Sequence, residues 1–350
     1  EHDFGSPPAV HERLAHVLSL GSFGYHDEDT KLGESFAFWA DNRNSWKLNP
    51  ERVIPTVTVL QGVAACVDAF SSVGDGILYN TPSYPPFLDL PLHAKRRSVE
   101  WPLNKSETGW HYDMESLEQI LEADRGIRIL LLCNPHNPTG IVLKQKELSQ
   151  IVNLCHKYNL ILVSDEIHSD FIYKESIHIP TLTIDGADSV TIALTSGAKS
   201  FALAGMRCAV AIPGNDILKE KLLEVPKFLL GGSNRMGCEA TIAAWETGSA
   251  WMDELIQTLD DRRLHLKSRL DGEIPEAKMF LPDSTFLAWI DLSEFNPGEK
   301  PAKWLREKTG VACGNGPDFS SSGKNHVRLT FGTSANLLDE MIERIVKGLT

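Results

Sequence analysis

No apolar run among the 350 residues is long enough to span a bilayer, which argues against a helical membrane protein. Cys66, Cys133, Cys155, Cys208, Cys238 and Cys313 include no Cys-x-x-Cys pair. Scattered and in several cases set in apolar stretches, they read as small core hydrophobes in a reducing, cytoplasmic compartment, and no metal site is expected from them. Positive charge is in deficit: 34 Lys and Arg face 47 Asp and Glu, a formal net charge of −13. That balance argues against nucleic acid or an anionic membrane as partner, so any phosphate must be held by a local site. No Gly-x-Gly-x-x-Gly follows an early strand, which disfavours a nicotinamide dehydrogenase. Repeats, low-complexity stretches and a signal-peptide apolar region are also lacking. The sequence opens at Glu1 without a methionine, so its true start, with any targeting segment, is expected upstream.

The length suits two domains, or one large domain with a smaller lobe. Val10, Leu14, Val17 and Leu18 form a helical stripe that stops at Gly21. Short continuous apolar runs follow at 76–79, 127–133, 160–164, 190–194 and 208–212, separated by helical patterns. Leu148, Ile151, Val152 and Cys155 mark one such amphipathic face. Apolar strands alternating with helices predict an α/β fold with a mostly parallel sheet covered on both faces. Beyond about residue 245 the texture changes to a long charged helix (251–270), strands at 285–291 and 327–331, and a helix at 337–349, a smaller α+β lobe.

Ligands of parallel sheets bind beyond the carboxyl ends of the strands, and four segments place polar residues there. Lys199 lies three residues after Ser196 and eight before Arg207. One segment can thus offer an amine to an aldehyde and two groups to a phosphate, both of which pyridoxal phosphate (PLP) carries. A surface lysine among small residues would look the same. Run 127–133 leads into Asn134-Pro135-His136-Asn137-Pro138-Thr139-Gly140, a stiff turn able to aim Asn137, or simply a turn. Run 160–164 ends in Asp165-Glu166-Ile167-His168. A buried acid needs a partner, and a protonated pyridine nitrogen would be one; a helix N-cap is the alternative. His168 is either structural or a partner for a ring oxygen. Gly62, in Gln61-Gly62-Val63, opens a helix after 57–60 and allows an anion to approach the helix N-terminus.

Taken in order, Gly62-Val63, Tyr84-Pro85-Pro86-Phe87, Asn137-Pro138-Thr139-Gly140, Asp165-Glu166-Ile167-His168, Ser196, Lys199, Arg207 and Arg328-Leu329-Thr330-Phe331 resemble fold-type I PLP enzymes of the class I/II aminotransferase superfamily. The similarity is greatest to their cystathionine β-lyase, or C–S lyase, branch, to which Ser284-Thr285-Phe286-Leu287-Ala288-Trp289-Ile290-Asp291 also contributes. The resemblance implies a large domain with a seven-stranded sheet at 27–245, a small α+β domain at 246–350, and an N-terminal segment (1–26) packing on the small domain. It implies Lys199 as the attachment point of the PLP aldehyde and carrier of the α-proton. Asp165 would pair with the pyridine nitrogen, Asn137 and His168 would meet the ring oxygen, and Tyr84 and Ile167 would cover the two ring faces. Gly62 and Val63 amides, Ser196 and Arg207 would hold the phosphate, and Arg328 would fork the substrate carboxylate. Taken alone, Arg328 could equally be a surface ion pair.

Tyr25 is implied to act across a homodimer with shared sites, and Asp3 and Phe4 to lie beside substrate. The branch usually shows Asp-Met-Asp-Phe where this chain has Glu1-His2-Asp3-Phe4, and His26 replaces a common threonine. These departures leave the preferred substrate open. The expected activity is α,β-elimination from cystathionine or related cysteine S-conjugates to pyruvate, ammonia and a thiol. The alternatives are an aminotransferase on the same scaffold and a fold-retaining regulatory or binding protein.

Overall fold

The computed structural model describes residues 1–24 and 29–350. Its strands are β1 (Ile54–Thr56), β2 (Gly76–Thr81), β3 (Arg97–Pro102), the small hairpin β4 (Asn104–Ser106) and β5 (Gly109–His111), β6 (Ile127–Cys133), β7 (Ile161–Asp165), β8 (Thr191–Thr195), β9 (Ala209–Pro213), β10 (Lys278–Met279), β11 (Leu287–Asp291), β12 (Gly314–Asn315) and β13 (His326–Thr330). Seven of them form one sheet in the order β1-β9-β8-β7-β6-β2-β3. Adjacent pairs from β8 to β3 are parallel, and only β9 runs against the rest. This is the seven-stranded, mostly parallel α/β sheet expected of the sequence.

Both faces of the sheet are buried, which is why its strands read as unbroken apolar runs. Along β6, Ile129 and Leu131 pack with Val63, Cys66 and Val67 of the helix Val59–Phe70. Leu130 and Leu132 point the other way, into Leu148, Ile151 and Cys155 of the helix Gln145–Tyr158. Each such leucine, at 1% exposure or less, contributes about 1.5–3 kcal/mol of transfer free energy. The second sheet, β10-β11-β13-β12, is antiparallel. It packs with the long helix Ser249–Glu273 and the terminal helix Ala335–Leu349 in a separate apolar cluster. The N-terminal helix Pro8–Ser19 lies against the helix Arg235–Thr247, where Arg13 pairs with Glu239 at 2.6 Å. Among the described residues, no helix is long and apolar enough to cross a membrane.

Strand direction decides where chemistry can occur. The chain steps outward from β2 to β3, then returns to place β6 on the other flank of β2, so a topological switch point lies between β2 and β6. Such a point opens a crevice beyond the carboxyl ends. Tyr84 follows β2 and Asn137 follows β6, one on each side of it. Because β9 is reversed, its entry at Arg207 and Cys208 lies on the same edge as the exits of β7 and β8.

Candidate active site

A cavity of about 550 Å³ opens at this edge. Its lining includes Tyr84, Asn137, Asp165, Ile167, His168, Ser196, Lys199, Arg207 and Arg328, brought from five strand ends and both sheets.

Asp165 closes β7 with its carboxyl group almost wholly buried. One oxygen accepts the Ile167 amide at 3.0 Å, an Asx-type turn that aims the carboxyl outward from the strand end. Among the described residues the other oxygen has no hydrogen-bond partner. Burial raises this acid to about 7; the Glu166 charge adds to the rise, while the Ile167 amide and the charge of Lys199 only partly oppose it. A carboxyl with that environment, facing an open cavity, is suited to a ligand that brings a positive or hydrogen-bearing ring atom.

His168 is buried beside it, edge-on to Phe286 and tilted against Phe171. Burial first, and then the charges of Lys199 and Arg328, lower it to about 3, so the imidazole stays neutral. Its Nδ1 has no hydrogen-bond partner among the described residues, and such an orphan marks a place where a ligand atom can bind. Asn137 is held by the turn after β6, and its Oδ1 accepts from Arg328 Nη1 at 2.9 Å.

Arg328 stands on β13 directly opposite Trp289 of β11. The ring of Phe319 lies 4.8 Å below its guanidinium. The same Phe319 accepts the Ser83 amide on its carbonyl at 2.7 Å, next to Tyr84. One loop residue therefore fixes both the guanidinium and the entry to Tyr84. Tyr84 begins the helix Pro85–His93 and sits edge-on to Phe87. Desolvation, helped by the nearby Asp165 charge, pushes its phenol up, so it is a neutral wall.

Ser196 caps the short helix Gly197–Ser200 by accepting the Ala198 amide, and donates to the Cys208 carbonyl at 2.6 Å. That bond ties the start of the lysine segment to the entry of β9. Lys199 follows on this helix and projects into the cavity, where its amine contacts the Glu1 carboxylate. Arg207 is exposed at the rim, with left-handed backbone (φ 54°).

The helix after β1 is placed differently from its sequence expectation. It begins at Val59, capped by Thr58, whose hydroxyl accepts the Gln61 amide. Gly62 and Val63 do not line the cavity; Val57, Thr58, Val59 and Leu60 do. The Gly62 amide is bonded to Thr58 O at 3.0 Å, inside the helix. A Cβ on Gly62 would meet Leu194 Cδ2 at 2.3 Å, so glycine here serves the close approach of helix to sheet. The amides left free at this helix terminus are those of Val59 and Leu60, which by the general rule are the anion-binding ones. An N-cap threonine ahead of an apolar run was the available sign, masked because 57–60 also reads as a strand.

Asp3 and Phe4 also lie outside the cavity lining. Asp3 accepts the Thr333 hydroxyl at 2.6 Å and donates its amide to Gly332 O at 2.7 Å, while Phe4 packs on the second apolar cluster. Glu1 reaches the cavity instead. Tyr25 lies outside the described residues.

The unusual state of Asp165 has a measurable consequence. A carboxyl raised in the fold keeps its proton longer there than in the unfolded chain, so stability falls as pH rises from about 4 towards 7 and is level beyond. In cofactor-free protein, the unfolding free energy of wild type relative to Asp165→Asn should drop over this window by up to about 4 kcal/mol. Denaturant titrations of both proteins at several pH values check it; parallel pH profiles would contradict the assignment.

Sheet order, switch-point crevice and this set of side chains define one class of protein. The sequence matches the aminotransferase class I and II family over residues 6–345, and the chain belongs to that family. Among curated proteins it is 32% identical to cystathionine beta-lyase PatB of Bacillus subtilis (strain 168), over 99% of this chain and 90% of that protein. Among solved structures it is similar to the PLP-bound C–S lyase from Staphylococcus hominis, with TM-score 0.94, 26% identity, and 100% and 91% of the two chains covered. Cystalysin from Treponema denticola, which contains a pyridoxal 5'-phosphate cofactor, gives TM-score 0.94 and 28% identity over 100% and 89%.

Proposed function

We propose that this chain is a PLP-dependent carbon–sulfur β-lyase acting on cystathionine or related cysteine S-conjugates. The observation that carries the reading is the convergence of an amine (Lys199), a buried acid whose pKa burial raises (Asp165) and a half-buried guanidinium (Arg328) on one cavity. The full-length relatives, a cystathionine beta-lyase and C–S lyases among them, favour elimination over amino transfer.

The residues present fit the cofactor. Asp165 has a free carboxylate oxygen for the pyridinium, Asn137 and the neutral His168 stand beside it for the ring oxygen, and Tyr84 and Ile167 flank it. Arg207 and the free amides of Val59 and Leu60 are the phosphate donors; Ser196 lines the same end of the cavity, but its one proton already goes to the Cys208 carbonyl. When bound, PLP supplies an electron-withdrawing system to which the substrate Cα is joined.

The protein's own groups do the rest. Arg328 holds the α-carboxylate by a planar two-point fork, which sets which bond at Cα stands across the ring plane. Its guanidinium is partly desolvated, which strengthens that contact. Lys199 Nζ carries the proton taken from Cα. The thiolate departs from Cβ, and with one water the products are pyruvate, ammonium and a thiol. Glu1 contacts the same amine.

The reading includes a homodimer with shared sites, a cytoplasmic location, and division into domains at 27–245 and 246–350 beside the N-terminal segment. Incubation with cystathionine and no keto acid should release pyruvate, ammonia and homocysteine together. Turnover that requires a keto-acid acceptor and returns no ammonia would make the protein an aminotransferase.

Phe319 gives a second test of the carboxylate clamp. A desolvated cation–π contact contributes about 0.5–2 kcal/mol, so Phe319→Leu should raise KM for the amino-acid substrate roughly 3- to 30-fold with kcat nearly unchanged. Phe319→Tyr should restore it. A loss in kcat at constant KM would place Phe319 outside the clamp.

A further inference from the structure

Glu1 is the lining residue that the reaction leaves without a task. The N-terminal strap that presents it is built in, not loose. His2 is buried and its Nε2 bonds the Lys199 carbonyl at 2.9 Å. Its ring rests among Phe4, Phe171, Trp251 and Phe286. One residue further, Asp3 is pinned through its amide to Gly332 and through its carboxylate to Thr333. With both following residues fixed, the Glu1 carboxylate is delivered to the cavity at the amine of Lys199.

Charge matching then singles it out. The charged side chains lining the cavity among the described residues are Glu1, Asp165, Lys199, Arg207 and Arg328. With the cofactor bound, Asp165 would answer the ring nitrogen, Lys199 the aldehyde, Arg207 the phosphate and Arg328 the substrate α-carboxylate. That would leave the half-exposed Glu1 carboxylate as the lining charge without an assigned partner. No lining cation remains to receive an acidic leaving group.

Resting on the lyase reading, we propose that Glu1 determines specificity by selecting cysteine S-conjugates whose departing thiol carries a positively charged amino group. The distal half of cystathionine offers Glu1 an ammonium but carries a carboxylate beside it, so cystathionine should rank below a conjugate that bears the ammonium alone. A carboxylate on the leaving group faces like charge and is disfavoured. Hydrogen bonds to charged groups set the scale, and the partial exposure of Glu1 places the discrimination at about 3- to 10-fold.

Three conjugates of similar size test it in the holoenzyme: S-(2-aminoethyl)-L-cysteine, S-ethyl-L-cysteine and S-carboxymethyl-L-cysteine, with thiol release as readout. Wild type should order kcat/KM as cationic over neutral over anionic. Glu1→Gln should shrink the cationic-to-neutral ratio about 3- to 10-fold. Glu1→Asp should keep the order. In parallel, dissociation constants of L-lysine and L-norleucine, the sulfur-free counterparts of the first two, read from the change in cofactor absorbance on titration, report binding alone. Lysine should bind more tightly to wild type and lose that advantage in Glu1→Gln. A wild type indifferent to the charge, or ratios unchanged by Glu1→Gln, overturns the proposal. If no conjugate releases thiol, the lyase reading fails, and the lysine-to-norleucine comparison still decides the role of Glu1.

Discussion

Replacing Lys199 by alanine should reduce turnover by roughly 10²–10⁴-fold or more, the range expected when a positioned proton carrier is removed, and should also abolish the lysine-linked cofactor absorbance. Lys199 is the only lysine lining the cavity among the described residues, so no other side chain there can replace its amine. Fold stability should change little, because the side chain stands in the cavity and its contact is with Glu1. The measurement pairs steady-state kinetics with an absorbance spectrum after reconstitution. A variant that keeps both colour and rate would remove Lys199 from the chemistry. Lys199→Arg, which retains charge and the Glu1 contact but not the reactive amine, should fail as alanine does. That comparison separates proton transfer and attachment from simple charge.

The second large effect is expected at Asp165. Leaving a buried cation without its counter-charge costs about 3–5 kcal/mol, so Asp165→Asn should lower activity by roughly 10²–10⁴-fold in the loaded enzyme. Asparagine fills the same space and can still accept the Ile167 amide on its oxygen, so the turn at the end of β7 should survive. The same substitution relieves the burden of a buried acid in the unloaded protein. Asp165→Asn should therefore be at least as stable as wild type without cofactor above pH 7, yet much poorer in turnover. Loss of stability and activity together would instead mean a structural role. The opposed signs are the useful feature, since general misfolding cannot produce them.

Much of this arrangement is legible in the sequence because the relevant forces are local. The apolar run at 127–133, interrupted only by Arg128, flanked by helical patterns, reads as a strand buried on both faces, and β6 spans those residues. The edge strand β3 escapes such reading. Arg97, Ser98 and Glu100 alternate with apolar residues on a half-exposed strand with little of its own pattern. At three residues, β1 is too short to show periodicity. Among site residues, Lys199, Asp165, Asn137 and Tyr84 each follow a strand or turn signal, and the structure brings them to one cavity with Arg328.

What the sequence hides is long-range contact and helix phase. The helix after β1 starts two to three residues earlier than glycine placement suggests, because Thr58 caps it, and that moves the free amides to Val59 and Leu60. Glu1 and Lys199 stand 198 positions apart, and Phe319 meets Ser83 across a similar gulf. No spacing rule relates such pairs; only the sheet topology that stacks strand ends at one edge does so. Asp3 shows the same limit in reverse. Its position beside the site in sequence suggested substrate contact, while in space its carboxylate ties down the strap that aims Glu1.

Reductive trapping of the reconstituted protein with borohydride, followed by peptide mass mapping, is the most direct test of the assignment of Lys199. The pyridoxyl group should be recovered on the peptide containing Lys199, in about one equivalent per chain, and on no other peptide. Recovery on another lysine, or no stable adduct in a coloured protein, would contradict it.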